Sequence, residues 1–428
     1  MAHYETRYWP PTDVLIGLPD RERQGGQYQV YVPDLLTGRE FLFRSREAAD
    51  VADAELAIAR LSKSAKTLAN TEAIARLLLR AESVASSKIE GLEVGARRLL
   101  RADAAQQFGQ RSKDVTANEV LANIEAMTFA LRAVPPGGTI GVSTLLETHR
   151  LLLAPTSLAA HGGRIRNIQN WIGGSDYNPC AAAFVPPPPE SVHALLSDLV
   201  HFCNEESLPA VAQSAIAHAQ FETIHPFVDG NGRVGRALIH MVLRRRGLAT
   251  AVAPPVSLVL ATMAKDYVNG LTATRYAGTP DSFSALDGIN GWIGTFAGAC
   301  HRAVRDAEDF EQRIATIQSE WNQRLGAIRA NSSVALLVGK LPGAPVITVE
   351  GAANLIGRST QATNEAIERL VDAGVLVPTR LDARRNRVFE TREVIAAFTA
   401  LERQLASSVG DTRIEPPNRP VPYRVKGF

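Results

Sequence analysis

The segment HPFVDGNGRVGR, at residues 225–236, constrains the fold more than any other feature of the 428-residue chain. The run AVAQSAIAHAQFETI precedes it, and RVGRALIHMVLRRRG overlaps its end. Both runs have apolar residues at helical spacing, whereas the Asp-Gly-Asn-Gly between them favours a turn with left-handed backbone. The sequence therefore predicts two core helices joined by a tight turn. The residues expected to face the core are Ile216, Ala219, Phe221, Val234, Leu238, Met241 and Val242.

The same turn has the chemistry of an anion site. A glycine-rich turn that opens a helix presents backbone N–H groups and the positive end of the helix dipole. Arg233 and Arg236 are three residues apart and leave the same helix face, where a polyanion would offset their repulsion from the dipole. Asp229 can hold a hard cation through oxygen, and His225 can accept a proton at neutral pH. The pattern predicts phosphoryl-type transfer on a nucleotide.

A competing pattern overlaps this segment, because Gly230, Gly232 and Gly235 match the GxGxxG fingerprint of dinucleotide-binding proteins. That fingerprint follows a strand and has an acidic residue about 20 residues further on. Here a helical pattern precedes it, and no Asp or Glu occurs from 237 through 265. A purely structural role also stays open, since an isolated HxxxD is more often structural than catalytic. The pattern as a whole favours nucleotide transfer.

Composition argues against several other classes of protein. The 46 basic and 44 acidic residues leave a net charge of +2, which disfavours nucleic-acid binding through charge alone. The 3 cysteines form no CxxC pair, so neither a disulfide framework nor a structural zinc site is expected. The start shows no signal-peptide pattern, and no apolar run is long enough to span a membrane. We therefore expect a soluble cytoplasmic protein without a membrane partner.

The organisation along the chain predicts two or three domains. Residues 28–32 and 40–43 are expected to pair as a small hairpin, and helical periodicity starts at residue 45. The connection at 162–189 is rich in Gly, Asn and Pro, and long connections of this kind are usually functional or disordered. The predicted parts are an N-terminal region 1–112 with a helix at about 72–91, a central domain 113–310, a C-terminal module 330–405 and a polar tail 406–428.

The segment at 225–236 resembles the complete HxFx(D/E)GNGRxxR signature of the Fic family, with no departure at a fixed position. The resemblance covers roughly residues 45–305 and implies an all-α fold whose helical core carries a small β-hairpin flap. It implies that His225 is the general base, that Asp229 binds Mg²⁺ or Mn²⁺, and that Phe227 seats the loop on the core. The implied ATP-binding set is Gly230, Asn231, Gly232, Arg233, Gly235 and Arg236.

Two segments of the long connection strengthen the resemblance. GRIR at 163–166 and QNWIGG at 169–174 resemble the family's segment that leads to the flap, and AAAFVPPPP at 181–189 resembles the flap itself. In the family this hairpin clamps the target peptide by strand addition. The implied flap residues are Ala183, Phe184 and Val185. Without the resemblance, the proline run alone would indicate a stiff loop.

The segment SSKIEG, at residues 86–91, resembles the family's inhibitory motif (S/T)xxxE(G/N). Ser86 and Glu90 are four residues apart and share a helix face. The resemblance implies that Glu90 pairs with Arg236 and occupies the place of the ATP γ-phosphate. The alternative is a surface helix that ends in a glutamate and a capping glycine.

The C-terminal module at 330–405 resembles a winged helix-turn-helix. Its predicted recognition helix, STQATNEAIERL, would present Gln361, Thr363, Asn364 and Glu368. The predicted wing carries four arginines that suit phosphate contacts: Arg380, Arg384, Arg385 and Arg387. Such modules also dock proteins or form dimers, and acidic residues dilute the charge here. A DNA partner, a protein partner and a homodimer therefore all remain open.

The expected activity is that of a protein adenylyltransferase. A Ser, Thr or Tyr hydroxyl of a target protein, which can be the chain itself, would attack the α-phosphate of ATP and release diphosphate. Two related activities stay open at the same site: removal of AMP, with Glu90 orienting water, and transfer of another nucleotide or phosphocholine. A rival of another class is a DNA-binding transcriptional regulator whose Fic core senses nucleotide.

Overall fold

The computed structural model describes residues 1–11, 23–67, 71–107, 113–379 and 387–404. The fold is mostly helical, as the sequence predicts, and no helix within these ranges is long and apolar enough to cross a membrane. The helices are α1 Ser45–Thr67, α2 Thr71–Ile89, α3 Ala96–Gln107, α4 Val115–Ala133, α5 Val142–Leu153, α6 Pro189–Asn204, α7 Ala210–Ile224, α8 Asn231–Arg245, α9 Val256–Thr262, α10 Ala264–Ala273, α11 Phe283–Leu325, α12 Ser333–Lys340, α13 Val349–Ile356, α14 Thr360–Asp372 and α15 Arg392–Gln404. The strands are β1 His3–Trp9, β2 Gly26–Val32, β3 Val346–Thr348, β4 Val377–Thr379 and β5 Val388–Glu390, and short 3₁₀ turns lie at Ala159–His161, Pro179–Ala181 and Leu341–Gly343.

The first of two compact units comprises Met1–Glu55, Ala126–Leu248 and Lys265–Gly298. Its centre is the pair α7 and α8: every residue of α7 is buried, and so is α8 from its start through Leu243. All seven residues that the sequence predicts to face the core are buried. Alanines occur repeatedly along α7, and their small side chains let neighbouring elements approach closely on all sides. Trp292 of α11 is fully buried against this helix and donates its indole N–H to the Ala215 carbonyl at 2.8 Å.

The second unit comprises Leu56–Glu125, Ala249–Ala264 and Ala299–Phe428. Helix α2 packs here against α9, the 3₁₀ turn at Leu341–Gly343 and α15. The approach to the 3₁₀ turn is close, since a Cβ on Gly343 would lie 2.9 Å from the Cα of Ala73. Glu82 of α2 is completely buried and accepts hydrogen bonds from the backbone N–H and the hydroxyl of Ser257.

The C-terminal module has the order helix, strand, helix, helix, strand, strand from α12 to β5, with an antiparallel sheet β3-β5-β4. The assignment of this module as a winged helix-turn-helix stays a prediction. Thr363 is buried and donates its hydroxyl to the Ser359 carbonyl at 2.9 Å, so the prediction that it faces a partner was wrong. Arg387 donates to Asn364 at 3.0 Å. Three of the predicted wing arginines lie outside the described residues: Arg380, Arg384 and Arg385. DNA binding stays a prediction.

The N-terminal hairpin differs from the one expected. β2 pairs with β1, in antiparallel register with Tyr4 opposite Tyr31, and residues 40–43 form no strand. The predicted pairing of 28–32 with 40–43 was therefore wrong. The physical reason lies in the aromatic residues: the rings of Tyr4 and Tyr31 are 5.1 Å apart across the strands, a favourable cross-strand pair. The ring of Phe41 packs against Phe202 of α6 instead, at 5.9 Å.

Replacement of Trp292 by alanine tests how far the first unit depends on its core. Trp292→Ala removes a fully buried indole and should lower the free energy of unfolding by about 3–5 kcal/mol. Urea denaturation followed by circular dichroism measures the loss. Val268→Ala, in the same unit and 57% exposed, is the control and should change stability by no more than about 0.5 kcal/mol. Equal midpoints for the two variants would contradict this packing.

Candidate active site

His225 is the residue at which α7 ends, and its backbone is left-handed, with φ 50° and ψ 60°. Its N–H donates to the Phe221 carbonyl at 2.9 Å and closes the last turn of the helix. A residue other than glycine in this conformation costs about 1–3 kcal/mol and persists only where its surroundings over-determine it. Strain of this kind is typical of functional turns.

Arg166 supplies several of the contacts that hold His225 in this left-handed conformation. Its side chain is almost fully buried; Nε donates to the His225 carbonyl at 2.8 Å and Nη2 to the Pro187 carbonyl at 2.6 Å. Longer bonds run from Nη1 to Ile168 O at 3.1 Å and from Nη2 to Ile224 O at 3.3 Å. Burial lowers the pKa of Arg166 to about 10, so the guanidinium is still charged at neutral pH. It caps the C-terminal carbonyls of α7, a role that suits a cation.

Phe227 and Asn231 fix the turn that follows. The Asn231 side chain accepts the Phe227 N–H and donates to the Phe227 carbonyl, both at 2.8 Å. Asn170 donates to the same carbonyl at 2.9 Å. The Phe227 ring is completely buried and stacks on His149, with the ring centres 3.8 Å apart. The expectation for Asn231 therefore changes: its side chain closes the turn, and its backbone N–H is the group left for an anion.

His149 of α5 is a site residue that the sequence did not indicate. Its Nδ1 accepts the Gly163 N–H at 3.1 Å, so the ring proton is on Nε2, which donates to the Asp229 carbonyl at 3.0 Å. Burial lowers its pKa to about 4, and the imidazole is therefore neutral at physiological pH. The ring holds the turn of the motif and the start of the GRIR segment together.

Gly230 opens α8 in the left-handed conformation, with φ 78° and ψ 10°. A Cβ at this position would lie 2.8 Å from Cδ2 of Leu152, so close packing as well as conformation favours glycine. The first hydrogen bond within α8 runs from the Val234 N–H to the Gly230 carbonyl at 3.1 Å. The backbone N–H groups of residues 231–233 precede that bond and lie at the positive end of the helix.

Arg233 carries unusual unused hydrogen-bonding capacity. Its side chain is only 4% exposed, and Nη2 donates to Oδ2 of Asp229 at 3.1 Å. Nε and Nη1 are buried and have no hydrogen-bond partner within the described part of the chain. Buried donors without a partner are rare and costly in native proteins. Both donors suit an anionic ligand.

Arg236 is also almost fully buried, and Nη1 lies 3.5 Å from the hydroxyl of Tyr267. That hydroxyl lies 2.8 Å from Nε2 of His218. Burial and the charge of Arg236 lower the pKa of His218 to about 3, so this ring is neutral at physiological pH. Gly235 permits the close packing of α8 on α7, because a Cβ there would lie 2.6 Å from Oε1 of Glu222.

Asp229 suits a magnesium ion that substrate phosphates also bind. Its side chain is 47% exposed, and it is the carboxylate of the turn. No group of three or more His, Cys, Asp or Glu side chains suited to a metal occurs among the described residues. Mg²⁺ in nucleotide enzymes usually takes one or two carboxylates, with phosphate oxygens and water completing its shell. One exposed carboxylate beside a phosphate site fits this pattern.

The flap hairpin is reduced to one antiparallel bridge, between Ile172 and Phe184. The N–H groups of Ala183 and Phe184 donate to the Ile172 carbonyl at 2.9 and 3.2 Å. On the opposite edge, the Val185 carbonyl accepts the N–H of Tyr31, in β2, at 3.0 Å. The three predicted flap residues are thus hydrogen-bonded both to Ile172 of the long connection and to β2 of the N-terminal hairpin.

The predicted inhibitory segment lies at the end of α2, in the second unit. Gly91 is left-handed, with φ 83°, and the Leu92 N–H donates to the Ser87 carbonyl at 3.0 Å, the pattern of a glycine-capped helix end. Ser86 is completely buried, whereas Glu90 is exposed. The segment therefore has a defined helix-end geometry, and the role of Glu90 stays a prediction.

Fold and site together define a class: mostly helical proteins with a glycine-rich turn between two buried helices. Residues 139–243 match the model of the Fic/DOC family, and residues 48–132 match the model of the Fic/DOC family N-terminal region. Over these regions the chain is similar to proteins of the Fic/DOC family.

Curated relatives match about a third of the chain. The "Protein adenylyltransferase fic-1" of Caenorhabditis elegans is 35% identical over 133 residues, 30% of this chain and 23% of the relative. The "Protein adenylyltransferase Fic" of Drosophila grimshawi is 33% identical over 140 residues, 32% of this chain and 27% of the relative. The chain thus spans about a quarter of the length of these relatives.

Solved structures align with a larger share of the chain at lower sequence identity. A Fic family protein from Desulfovibrio desulfuricans G20 aligns with a TM-score of 0.49 and 21% identity, covering 82% of this chain and 97% of its own. A segment of Fic-1 from C. elegans aligns with a TM-score of 0.46 and 22% identity, covering 62% of this chain and 74% of its own.

The buried neutral His218 predicts an acid-sensitive fold. Its pKa is about 3 in the folded protein, below the usual 6.5, so the unfolded chain binds a proton in this pH interval and the folded chain does not. Stability should therefore fall as pH falls from about 6.5, by up to about 1.4 kcal/mol per pH unit from this group. The measurement is urea denaturation between pH 7 and 4. The free energy of unfolding should fall more steeply with falling pH in wild type than in His218→Gln. His193→Gln changes an exposed histidine and should keep the wild-type slope; identical slopes in all three proteins would refute the effect.

Proposed function

We propose that the chain is a protein adenylyltransferase that transfers AMP from ATP to a hydroxyl group of a protein. The observation that supports this most is Arg233, which keeps two buried guanidinium donors without a partner in the described structure. They lie in the first turn of α8, where the backbone N–H groups of residues 231–233 open the helix. An anion that satisfies both sets of donors at once is a chain of phosphates.

The positions of the donors suggest which phosphate of the nucleotide each of them binds. Arg233 and Arg236 are one helical turn apart, which suits contacts with successive phosphates of one nucleotide. The Tyr267 hydroxyl lies beside the Arg236 guanidinium and restricts its orientation. We assign the β- and γ-phosphates to these arginines and the backbone N–H groups, and Gly230 and Gly235 keep the approach free of side chains.

The transfer step needs a base beside the α-phosphate, and we assign it to His225. Its imidazole takes the proton from the target hydroxyl, whose oxygen forms a bond to the α-phosphorus as the bond to diphosphate breaks. Mg²⁺ or Mn²⁺ at Asp229 would neutralise phosphate charge when bound. Arg166 and Asn170 hold the His225 carbonyl at 2.8 and 3.4 Å and keep its strained backbone in place.

The target enters along the flap in this proposal. The support is the resemblance of residues 183–185 to the family's flap, where a target segment adds through its own backbone. A Ser, Thr or Tyr hydroxyl in that segment is the acceptor. The names of the relatives, protein adenylyltransferases, support the same reaction class. The dinucleotide alternative loses support because α7, a helix, precedes the GxGxxG pattern where a strand is required.

We further propose that Glu90 inhibits the enzyme. The support is the resemblance of SSKIEG to the inhibitory motif together with the charge of Arg236. Arg236 can satisfy either a carboxylate or the γ-phosphate well, and a paired carboxylate would displace ATP from its productive position. Removal of AMP from a modified target is the alternative activity, because it would use the same His225 and would need Glu90 to orient water.

The test is self-labelling and labelling of a cell lysate with ATP that carries label at the α or the γ position. A charge-assisted contact of about 1.5–3 kcal/mol corresponds to about 10- to 100-fold in rate, so Glu90→Gly should raise α-labelling by that factor. Glu90→Gly combined with His225→Ala should return labelling to background, and γ-label should not transfer. Glu93→Gly, a change at a neighbouring exposed glutamate, should behave as wild type.

Each alternative predicts a different result. Equal labelling of wild type and Glu90→Gly would show that Glu90 is only the end of a helix. Transfer of the γ-label would indicate a kinase-type reaction. Loss of AMP from a pre-labelled target in wild type, but not in Glu90→Gly, would assign the chain to AMP removal. Labelling that survives His225→Ala would remove His225 as the base.

A further inference from the structure

Arg166 bonds to three separate parts of the site at once. Its guanidinium donates to the end of α7 through His225 O at 2.8 Å, and to the exit of the flap through Pro187 O at 2.6 Å. A third bond reaches Ile168 O, within the long connection, at 3.1 Å. Its backbone N–H adds a fourth, to Pro226 O at 2.9 Å. One side chain therefore connects the extended flap with the turn that carries the catalytic histidine.

The chemistry of these contacts requires an arginine. All acceptors of the guanidinium are backbone carbonyls, and no carboxylate forms a salt bridge with it among the described residues. A guanidinium has donors in a planar fork that can reach carbonyls on different segments. A lysine has the same charge, but its single nitrogen cannot lie near all of them. The charge alone does not explain the choice of residue at this buried position.

Neighbouring side chains extend the same connection. Asn170 donates to His225 O at 3.4 Å and to Phe227 O at 2.9 Å. Gln169 donates to Pro186 O at 3.0 Å. Three side chains of the segment 166–170 thus donate hydrogen bonds to the catalytic turn and to the flap exit. In every case the acceptor is a backbone carbonyl of the turn or of the flap exit.

We propose that Arg166 is a positioning residue that couples the flap to His225, so that a target strand on the flap stabilises the catalytic backbone conformation. This rests on the proposed function for its chemistry. A shift of the Pro187 carbonyl changes the position of Nη2, and the planar guanidinium transmits that change to Nε and the His225 carbonyl. The nucleotide site is independent of this coupling, because no hydrogen bond joins the Arg166 side chain to residues 230–236 in the described structure. Loss of Arg166 therefore lowers turnover and leaves ATP affinity unchanged.

The experiment uses the full chain in the Glu90→Gly background, with Arg166→Lys as the main variant. Misplacement of a catalytic group by about 1 Å can cost about 100-fold, so kcat should fall about 10- to 100-fold while KM for ATP stays within about threefold. Asn170→Ala removes a second donor from the same turn at lower risk to folding and should lower kcat about 3- to 10-fold. Arg245→Lys is the control: the Arg245 side chain is 9% exposed, and it donates to the Asn204 carbonyl at 2.7 Å, which is not one of the site residues.

Hydrogen–deuterium exchange provides a readout that does not depend on catalysis. In Arg166→Lys and Asn170→Ala, exchange should rise together in the flap at 183–185 and in the turn at 225–229, whereas Arg245→Lys should change neither. A rise in only one segment would overturn the coupling, as would an equal loss of kcat and ATP affinity or an unchanged kcat in a folded variant. If Arg166→Lys fails to fold, judged by thermal unfolding and ATP-binding stoichiometry, Asn170→Ala decides. If neither wild type nor Glu90→Gly transfers AMP, the proposed function is refuted. The exchange data would still test the coupling of the flap to the turn that carries His225.

Discussion

The two hydrogen bonds between Phe227 and the side chain of Asn231 determine how the rest of the site is arranged. They close the turn between two helices that are buried over most of their length, where unsatisfied backbone groups would be costly. The closed turn holds the Phe227 ring in the core and leaves the first N–H groups of α8 at the surface of the turn. His225, Asp229 and both arginines lie within five residues of this closure in the sequence.

The buried side chains around the site carry more positive than negative charge among their hydrogen-bond partners, and this excess would suit an anionic ligand. Arg166 has only carbonyl partners, and Arg233 has Asp229 as its one carboxylate among the contacts described. Arg275, stacked 3.5 Å from the centre of the Phe184 ring, adds a third cation, whose pKa is lowered by burial. Buried cations without equal counter-charge make a folded protein less stable on their own. A polyanion that binds among them recovers part of that free energy.

Sequence reasoning predicted the elements whose signal is local. The spacing of apolar residues predicted both central helices and their buried faces, and the signature turn was predicted from its Gly and Asn residues. It could not predict contacts between residues distant in the chain. Periodicity indicates that a side chain is buried, but it does not indicate which side chains it contacts. His149 and Tyr267 were missed for this reason, and so were the acceptors of Arg166. β1 was missed because its alternating residues indicate a strand only when they are paired with those of β2. Thr363 was misassigned because a hydroxyl can turn back onto its own helix.

Helix α2 is held at its start by the C-terminal module: Lys340 pairs with Glu72 at 2.6 Å, and the backbone at Gly343 lies against Ala73. Helix α3 joins the same assembly, with Leu100 in one apolar cluster with Val346 of the module's sheet. The module is therefore part of the folding unit that presents Glu90, and it is not an independent appendage. A shortened gene product that ends before α12 would expose the apolar side of α2 to water. Such fragments should accumulate poorly in cells, so natural variation in this protein should preserve or lose the two parts together.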